Sequence, residues 1–381
     1  MNRAEEIALI ERGLALALAR RSDTRDQVSA LDPSRYTSEA WFSRERATVF
    51  RHFPLVAGFS SQLVEAGDVL STDLAGLPVL LTRTTGGGLR ASINACRHRG
   101  VTVLEPGCYR SKKALSCRFH GWTYAPTGEL RSMPEREAFP SNEGGQLDLV
   151  ALPVAELAGL IFVLPTPGAS LDLGAWLGKV GEDLEGFGLA GLRMVRPSTR
   201  TRAHNWKMYL DATLESYHIP SLHSSTGGAG WFARVGAFDS LWPHARAMLP
   251  EPSLLELEDT DPAGWELRRH AGLLYSIFPN TTVLLHRGIA QVMTVFPEGP
   301  GRAVLRSGML ASPTDDDGGE LRHAYYQTYW QTMEEDFQVL ESMQANLGVG
   351  ATERLLVGRQ EFLMADYHRA IDAAVEGSLK P

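Results

Sequence analysis

The sequence predicts an α+β chain in two parts: a small β-rich domain, then a larger domain in which an antiparallel sheet is flanked by helices. Three observations lead there. From about residue 46 to 165, short apolar runs such as 79–81 and 161–164 are broken by Gly, Pro and Asp. Runs at 272–278, 281–286, 289–296 and 302–311 are separated by turn signals at Pro279-Asn280, Arg287-Gly288 and 297–301, the texture of an antiparallel meander. Finally, 318–347 carries Tyr326, Trp330, Met333, Phe337, Leu340 and Met343 at helical spacing.

The elements follow in order. Residues 2–21 predict an amphipathic helix, with Ile7, Ile10, Leu14 and Leu18 on one face and Arg12, Arg20 and Arg21 turned to solvent. Residues 1–45 form a helical segment packing on the larger domain, 46–165 the β-rich domain and 166–381 the larger domain, with the boundary at the 165–168 Pro-Thr-Pro-Gly punctuation. Within 166–381 a helix is expected at 204–223, then a mobile Ser/Gly-rich loop at 224–230, and a last helix at 356–375. The acidic 315–317 run reads as a solvated turn.

A chain of 381 residues exceeds the size at which single cores stop growing, so two domains are expected. Hydrophobic residues at 44% and charged residues at 22% are globular values. With 37 basic against 45 acidic residues, the net charge of -8 offers no electrostatic attraction for nucleic acid or an anionic membrane. Apolar runs are too short for a membrane span. Of three cysteines, two sit in the motif below and Cys108 is left as a free thiol, so a disulfide framework is not expected and a reducing cytoplasm is the natural setting.

The chemistry concentrates in two places. Cys96-Arg-His98 and Cys117-Arg-Phe-His120 stand eighteen residues apart and offer two thiolates and two imidazoles. That is the ligand inventory of a Rieske 2Fe-2S centre, and equally of a structural Cys2His2 zinc. Gly100, Gly107 and Gly121 supply backbone freedom beside the ligands, and Trp122 and Tyr124 are placed to shield or hydrogen-bond the sulfurs.

In the predicted 204–223 helix, Asp211, Glu215 and His218 fall on one face. His223 is five residues on, with Pro220 between to distort the helix and let the two imidazoles converge. Two histidines and a carboxylate with open positions make an iron site for O2 chemistry. Glu334, Glu335, Asp336 and Glu341 are all candidates for that carboxylate. Glu215, three residues before His218, either accepts a hydrogen bond from its imidazole or simply pairs with Lys207.

CRHRG from Cys96 and CRFHGWTYAPTGEL from Cys117 resemble the Rieske domain of ring-hydroxylating oxygenase large (alpha) subunits, and the likeness extends along the chain. The resemblance implies a β-rich Rieske domain followed by a helix-grip catalytic domain. It implies that Cys96 and Cys117 hold one cluster iron and His98 and His120 the other. It selects Asp336, in EEDFQVLESMQANL, to join His218 and His223 on a mononuclear non-haem Fe(II). It makes Glu215 a bridge from an iron histidine to a cluster histidine of a neighbouring subunit, and sets Asn205 near the iron, Tyr217 beside it and Asp211 among the further catalytic candidates.

The activity so implied is that of a terminal oxygenase hydroxylating a small organic, aromatic substrate with O2. Electrons arrive from NAD(P)H through a separate reductase or ferredoxin, because no glycine loop here suits a nucleotide and 86–88 is a turn. A homotrimer is implied, with or without small β subunits. Many ring dioxygenases carry Asp where this chain has Glu215, and some relatives acting on quaternary amines carry Glu. Oxidative demethylation of a quaternary amine or methoxy compound is therefore the alternative. Below it rank a Rieske electron carrier with a ligand-binding module and a zinc-stabilised binding protein.

Overall fold

The computed structural model describes residues 1–232, 234–312 and 319–381, so the 315–317 run lies outside the described residues. The chain divides into two compact units, Phe50–Trp176 with Lys380–Pro381, and Met1–Val49 with Leu177–Leu379. The division falls at Trp176/Leu177, past the 165–168 punctuation.

In the unit from Phe50 to Trp176, a five-stranded antiparallel sheet runs in the order Ala151–Leu152, Leu89–Ile93, Leu77–Arg83, Val69–Leu74, Gly107–Tyr109. A three-stranded sheet, Val154–Leu157, Leu160–Val163 and Leu55–Phe59, accompanies it. Leu55, Val79, Leu81 and Phe162 are fully buried. A small third sheet, Leu115–Ser116, Thr123–Tyr124 and Leu130–Ser132, carries the second Cys-His loop at its first hairpin. Gly87 closes the turn between Leu77–Arg83 and Leu89–Ile93, as the 86–88 run indicates.

The other unit is built on a seven-stranded antiparallel sheet in the order Arg193–Arg202, Arg302–Ala311, Ile289–Gly299, Thr281–His286, Ala271–Ile277, His244–Pro250, Ala237–Leu241. The four central strands are those of the expected meander. The helices Arg3–Leu18, Trp206–Thr213, Gly319–Gly348 and Phe362–Glu376 belong to the same unit. The first begins at a capping box in which Asn2 and Glu5 satisfy each other's backbone N–H groups.

Four local expectations are corrected. Arg12 is only partly open to solvent, because it pairs with Asp23 and Asp239 and donates to the Phe238 carbonyl at 3.0 Å. The last helix starts at Phe362, because Leu355–Val357 pairs with Ser29–Leu31 as a two-stranded ribbon instead. The 224–230 loop is pinned to the long helix, with the Gly227 N–H donating to Thr332 Oγ1 at 3.0 Å.

The expected 204–223 helix is two pieces, Trp206–Thr213 and Ile219–Leu222. The break precedes Pro220 and has a local cause. The Glu215 carboxylate takes the backbone N–H groups of Tyr217 and His218, which a continuing helix would have given to carbonyls four residues back. Asn205 caps the first piece, its Oδ1 accepting the Lys207 N–H at 3.0 Å. Lys207 is fully buried, and its ammonium meets Glu45 at 2.8 and 2.9 Å, with Trp206 Nε1 donating to the same carboxylate at 2.9 Å. Lys207 is therefore not Glu215's partner.

Candidate functional site

The two Cys-His loops share one backbone design. The Cys96 N–H donates to the Val101 carbonyl at 2.8 Å and the Cys96 carbonyl accepts from Gly100 at 2.7 Å. The Cys117 N–H donates to Trp122 O at 2.8 Å, and its carbonyl accepts from Gly121 at 2.9 Å. Both glycines have positive φ, 74° and 72°, which is what allows each loop to turn back on its cysteine. Asn94 pins the neck of the first loop. Its Oδ1 accepts from Val103 and Leu104 at 3.0 and 3.1 Å, and its Nδ2 donates to the Leu104 carbonyl at 2.7 Å.

The side chains converge. Cys96 and Cys117 are both buried and both free, in one apolar cluster with Leu115, Trp122 and Tyr124. The His98 and His120 rings stand 4.6 Å apart between centroids, and Trp122 stacks flat on His98 at 5.1 Å. His98 Nδ1 is buried without a hydrogen-bond partner among the described residues, a lone pair left over for a metal. The Tyr124 hydroxyl accepts the Arg97 N–H at 3.0 Å, so its own proton points to Cys96 Sγ at 3.3 Å. Burial, then that contact, raises the Tyr124 pKa and keeps the hydroxyl a donor. Two buried thiols and two adjacent imidazoles, one with an orphaned nitrogen, fit a Rieske cluster. Cys108 is exposed and remote from the ligand set in its bonding, its thiol donating to the Gln62 carbonyl.

In the other unit His218, His223 and Asp336 each offer one donor atom, all within 4.8 Å of one another. His223 Nε2 is 3.0 Å and His218 Nε2 3.7 Å from Asp336 Oδ1. The break after Thr213 frees His218 to turn inward, and the short helix Ile219–Leu222 sets His223 beside it, ring centroids 5.1 Å apart. Close packing holds this geometry: a Cβ on Gly228 would lie 2.6 Å from the Cβ of His223.

Each imidazole is oriented from behind by a carboxylate. His218 Nδ1 bonds Glu215 Oε1, and His223 Nδ1 bonds Glu335 Oε2 at 2.7 Å, which also accepts from Thr226 at 2.7 Å. Both Nε2 atoms are thereby left as lone-pair donors towards Asp336. Burial opposes the imidazolium form of both rings, but hydrogen bonds to Glu215, and for His223 to Asp336 and Glu335, outweigh it and raise both pKa values. The donor set of two imidazoles and one carboxylate suits a mononuclear iron with open positions.

The structure separates the acidic candidates. Asp336 is 6% exposed and reaches both histidines, Glu335 backs His223, and Glu334 pairs with Arg202. Glu341 accepts the Ala203 N–H at 3.1 Å. Three other expected residues have different work. Asn205 caps its helix and donates to the Pro300 and Tyr36 carbonyls at 2.6 and 3.2 Å. Asp211 bonds the Tyr36 hydroxyl at 2.8 Å and His368 Nε2 at 3.0 Å. The Tyr217 ring is exposed under the Arg234 guanidinium, and only its backbone N–H serves Glu215.

A cavity of about 350 Å³ opens beside the triad, lined by Tyr209, Trp231, Leu249, Leu274, Leu284 and Met333 among others, and so mainly apolar. Asn205, Asp211 and Tyr217 do not line it; Asp211 instead borders a smaller space of about 240 Å³ with Tyr36, Glu215 and Glu361. Glu335 was a candidate for the iron carboxylate and instead backs His223, Trp231 read as a core aromatic and instead lines the cavity, and Glu251 and His286 were not singled out in the sequence.

Residues 54–151 match the family described as the Rieske [2Fe-2S] domain, and 189–377 that described as the ring hydroxylating alpha subunit (catalytic domain). Choline monooxygenase of Beta vulgaris is 31% identical over 195 residues, 49% of this chain and 43% of that protein. The biphenyl 2,3-dioxygenase alpha subunit of Rhodococcus jostii (strain RHA1) is 32% identical over 155 residues, 40% of this chain and 33% of that protein. The chain thus spans less than half the length of these curated relatives. Naphthalene 1,2-dioxygenase from Rhodococcus sp., bound to indole, has the same fold: TM-score 0.79 at 20% identity, covering 98% of this chain and 99% of that one. Among the described residues no helix is long and apolar enough to cross a membrane.

Proposed function

Because this chain belongs to the family of Rieske non-haem iron oxygenase large (alpha) subunits, we propose that it is a terminal oxygenase component, hydroxylating a small and mainly apolar organic substrate with O2. The observation that carries this reading is the grouping of His218, His223 and Asp336 on the wall of an apolar cavity, in a chain that also gathers Cys96, His98, Cys117 and His120.

Cys96 and Cys117 would hold one cluster iron, His98 and His120 the other, and His218, His223 and Asp336 the mononuclear Fe(II). When bound, these groups supply single electrons and open coordination positions for O2 chemistry. The chain's residues do the rest. Glu215 and Glu335 fix the tautomer and direction of the two ligand imidazoles. The leucines, Met333 and Trp231 exclude water and hold the substrate body against the triad. Glu215 also serves as the bridge to a cluster histidine of a neighbouring subunit in a homotrimeric ring, with or without β subunits, in the cytoplasm. Electrons come from NAD(P)H through a separate reductase or ferredoxin.

Oxidative N-demethylation is a second reading, favoured by Glu215 and by the likeness to choline monooxygenase. A bare electron carrier is disfavoured, since it has no use for the second triad. Reconstitution with a reductase, NADH and ¹⁸O-labelled O2 tests the proposal: label in a hydroxylated product is expected, or formaldehyde from the demethylation reading. Electron uptake with no oxygen consumed across aromatic and quaternary amine substrates would overturn both.

A further inference from the structure

Most polar groups on the cavity wall are already engaged. The Tyr209 hydroxyl bonds Thr282 Oγ1 at 2.9 Å, and the Tyr329 hydroxyl turns to Tyr209. Thr332 Oγ1 donates to the Thr328 carbonyl at 2.9 Å and accepts the Gly227 N–H. Glu251 is taken up by His286 and Arg287. Tyr325 differs, because its hydroxyl makes no hydrogen bond among the described residues.

That hydroxyl is open, and it opens inward. Trp330 Nε1, five residues along the same helix, is sealed from solvent without a partner; the half-buried Tyr325 is not sealed in this way, so its oxygen keeps accessible surface. A phenol facing bulk water would keep its ordinary pKa, yet burial alone raises that of Tyr325. The group therefore lies within the protein mass and borders an internal space. The space that Tyr325 lines is the cavity beside the triad.

Its place along the cavity is fixed by the long helix. Tyr325, Tyr329, Met333 and Asp336 line the cavity from one face of Gly319–Gly348, and the eleven residues from Tyr325 to Asp336 span about 16 Å of helix. Asp336 marks the triad end. At the other, the Tyr325 ring is braced 5.8 Å from that of His286, on which Trp231 packs at 5.0 Å. A phenol kept protonated by its surroundings offers a proton to a ligand. Glu215, Glu251 and Asp336 put three carboxylates on the same wall, which disfavours an anionic ligand.

We propose that the Tyr325 hydroxyl donates a hydrogen bond to the end of the substrate remote from the oxidised carbon. The substrate class is thus an elongated, mainly apolar molecule carrying one uncharged acceptor at that end, such as a ketone, ether or amide oxygen. The inference rests on the oxygenase reading for which end meets the chemistry. A ligand without the acceptor would displace water from the phenol and leave the donor unsatisfied, the condition under which a site discriminates against ligands lacking the group.

The test is equilibrium dialysis of the metal-loaded protein, without reductant, against 4-acetylbiphenyl, 4-isopropenylbiphenyl and biphenyl-4-carboxylate. The first two have the same shape and differ in the carbonyl oxygen, and the third replaces it with an anion. The ketone should bind about tenfold more tightly than the isopropenyl compound, and more tightly than the carboxylate. Tyr325→Phe, or Tyr325→Leu should the first not fold, should erase the ketone preference, and Tyr325→Phe should leave affinity for the isopropenyl compound within about twofold. Equal affinities of the two isosteres for the wild-type protein, including binding of neither, overturn the inference, as does a ketone preference that survives loss of the hydroxyl. Tighter binding of the carboxylate overturns the uncharged class. Iron content and labelled-oxygen incorporation are read separately. A failed ketone preference in an active oxygenase sinks this inference alone, and a ketone preference in a protein that incorporates no oxygen sinks the functional reading alone.

Discussion

His223 Nε2 lies 3.0 Å from Asp336 Oδ1, across 113 residues of sequence, while the opposite edge of the same ring is held by Glu335, the immediate neighbour of Asp336. Successive residues of one helix thus grip both sides of one imidazole, one placed to share its metal and one to aim it. The two carboxylates should be separable. Asp336→Ala is expected to lose the mononuclear iron and all turnover while leaving the cluster's spectrum intact. Glu335→Gln should keep the iron but weaken its binding about 10- to 100-fold, as loss of an orienting partner does. Iron titration of stripped protein distinguishes them, and equal losses would contradict the division of roles.

Tyr124 should tune the cluster. Its hydroxyl donates towards Cys96 Sγ, and such a bond favours the more negative, reduced state. Tyr124→Phe is expected to lower the midpoint potential by an amount on the order of tens of millivolts, measured by spectroelectrochemistry. An unchanged potential would mean that the contact does not persist once the cluster is bound.

Replacing Gly121, at φ 72°, with Ala forces a side chain into the left-handed region beside Cys117 and is expected to cost about 1–2 kcal/mol. The loss should appear in cluster retention during thermal unfolding, and a neutral effect would argue against the turn-back geometry of the loop.

Glu45→Ala strands the buried ammonium of Lys207 and removes the acceptor of Trp206 Nε1. A loss of about 3–5 kcal/mol is expected in chemical denaturation. Because Glu45 anchors the helix that leads to Glu215 and His218, a folded variant should also bind iron less tightly. Stability within about 0.5 kcal/mol of the wild type would contradict this account.

The pH dependence has opposite signs with and without metal. His218 and His223 have folded pKa values raised above their ordinary 6.5. In metal-free protein their charged pairs therefore stabilise the fold fully below pH 6.5, and the contribution is lost as pH rises through the raised values. Iron needs both rings neutral, so its affinity should fall as pH drops through the same range. The rise in melting temperature on adding ferrous iron should be larger near about pH 8 than near about pH 6; a pH-independent rise would be inconsistent with imidazole ligands.

Much of this was legible in the chain. The meander at 272–311 could be read because its strands bury most of their residues and its turns carry Pro, Asn and Gly. The two Cys-His loops were readable because ligand, glycine and aromatic residues are local in sequence. The edge strand Arg193–Arg202 was hidden by four arginines and by Pro197, which sits where the register shifts. The helix break at Glu215 was hidden because a side chain supplies the backbone's acceptors, a substitution that periodicity cannot register. Asn205 and Tyr217 were assigned by the resemblance alone, and Asp211 by a helical face shared with Glu215 and His218 that the break between Thr213 and Ile219 interrupts. Trp231 read only as a core aromatic, and Glu251 and His286 left no trace, since what unites them is a cavity wall rather than spacing.

Whether one chain carries both a cluster and a mononuclear iron is tested most directly by counting iron per chain in anaerobically purified wild-type protein and in Asp336→Ala. About three irons are expected in the first and about two in the second, with the cluster's electron paramagnetic resonance signal unchanged. Zinc in place of iron, or a wild-type count of two that the substitution does not alter, would contradict it.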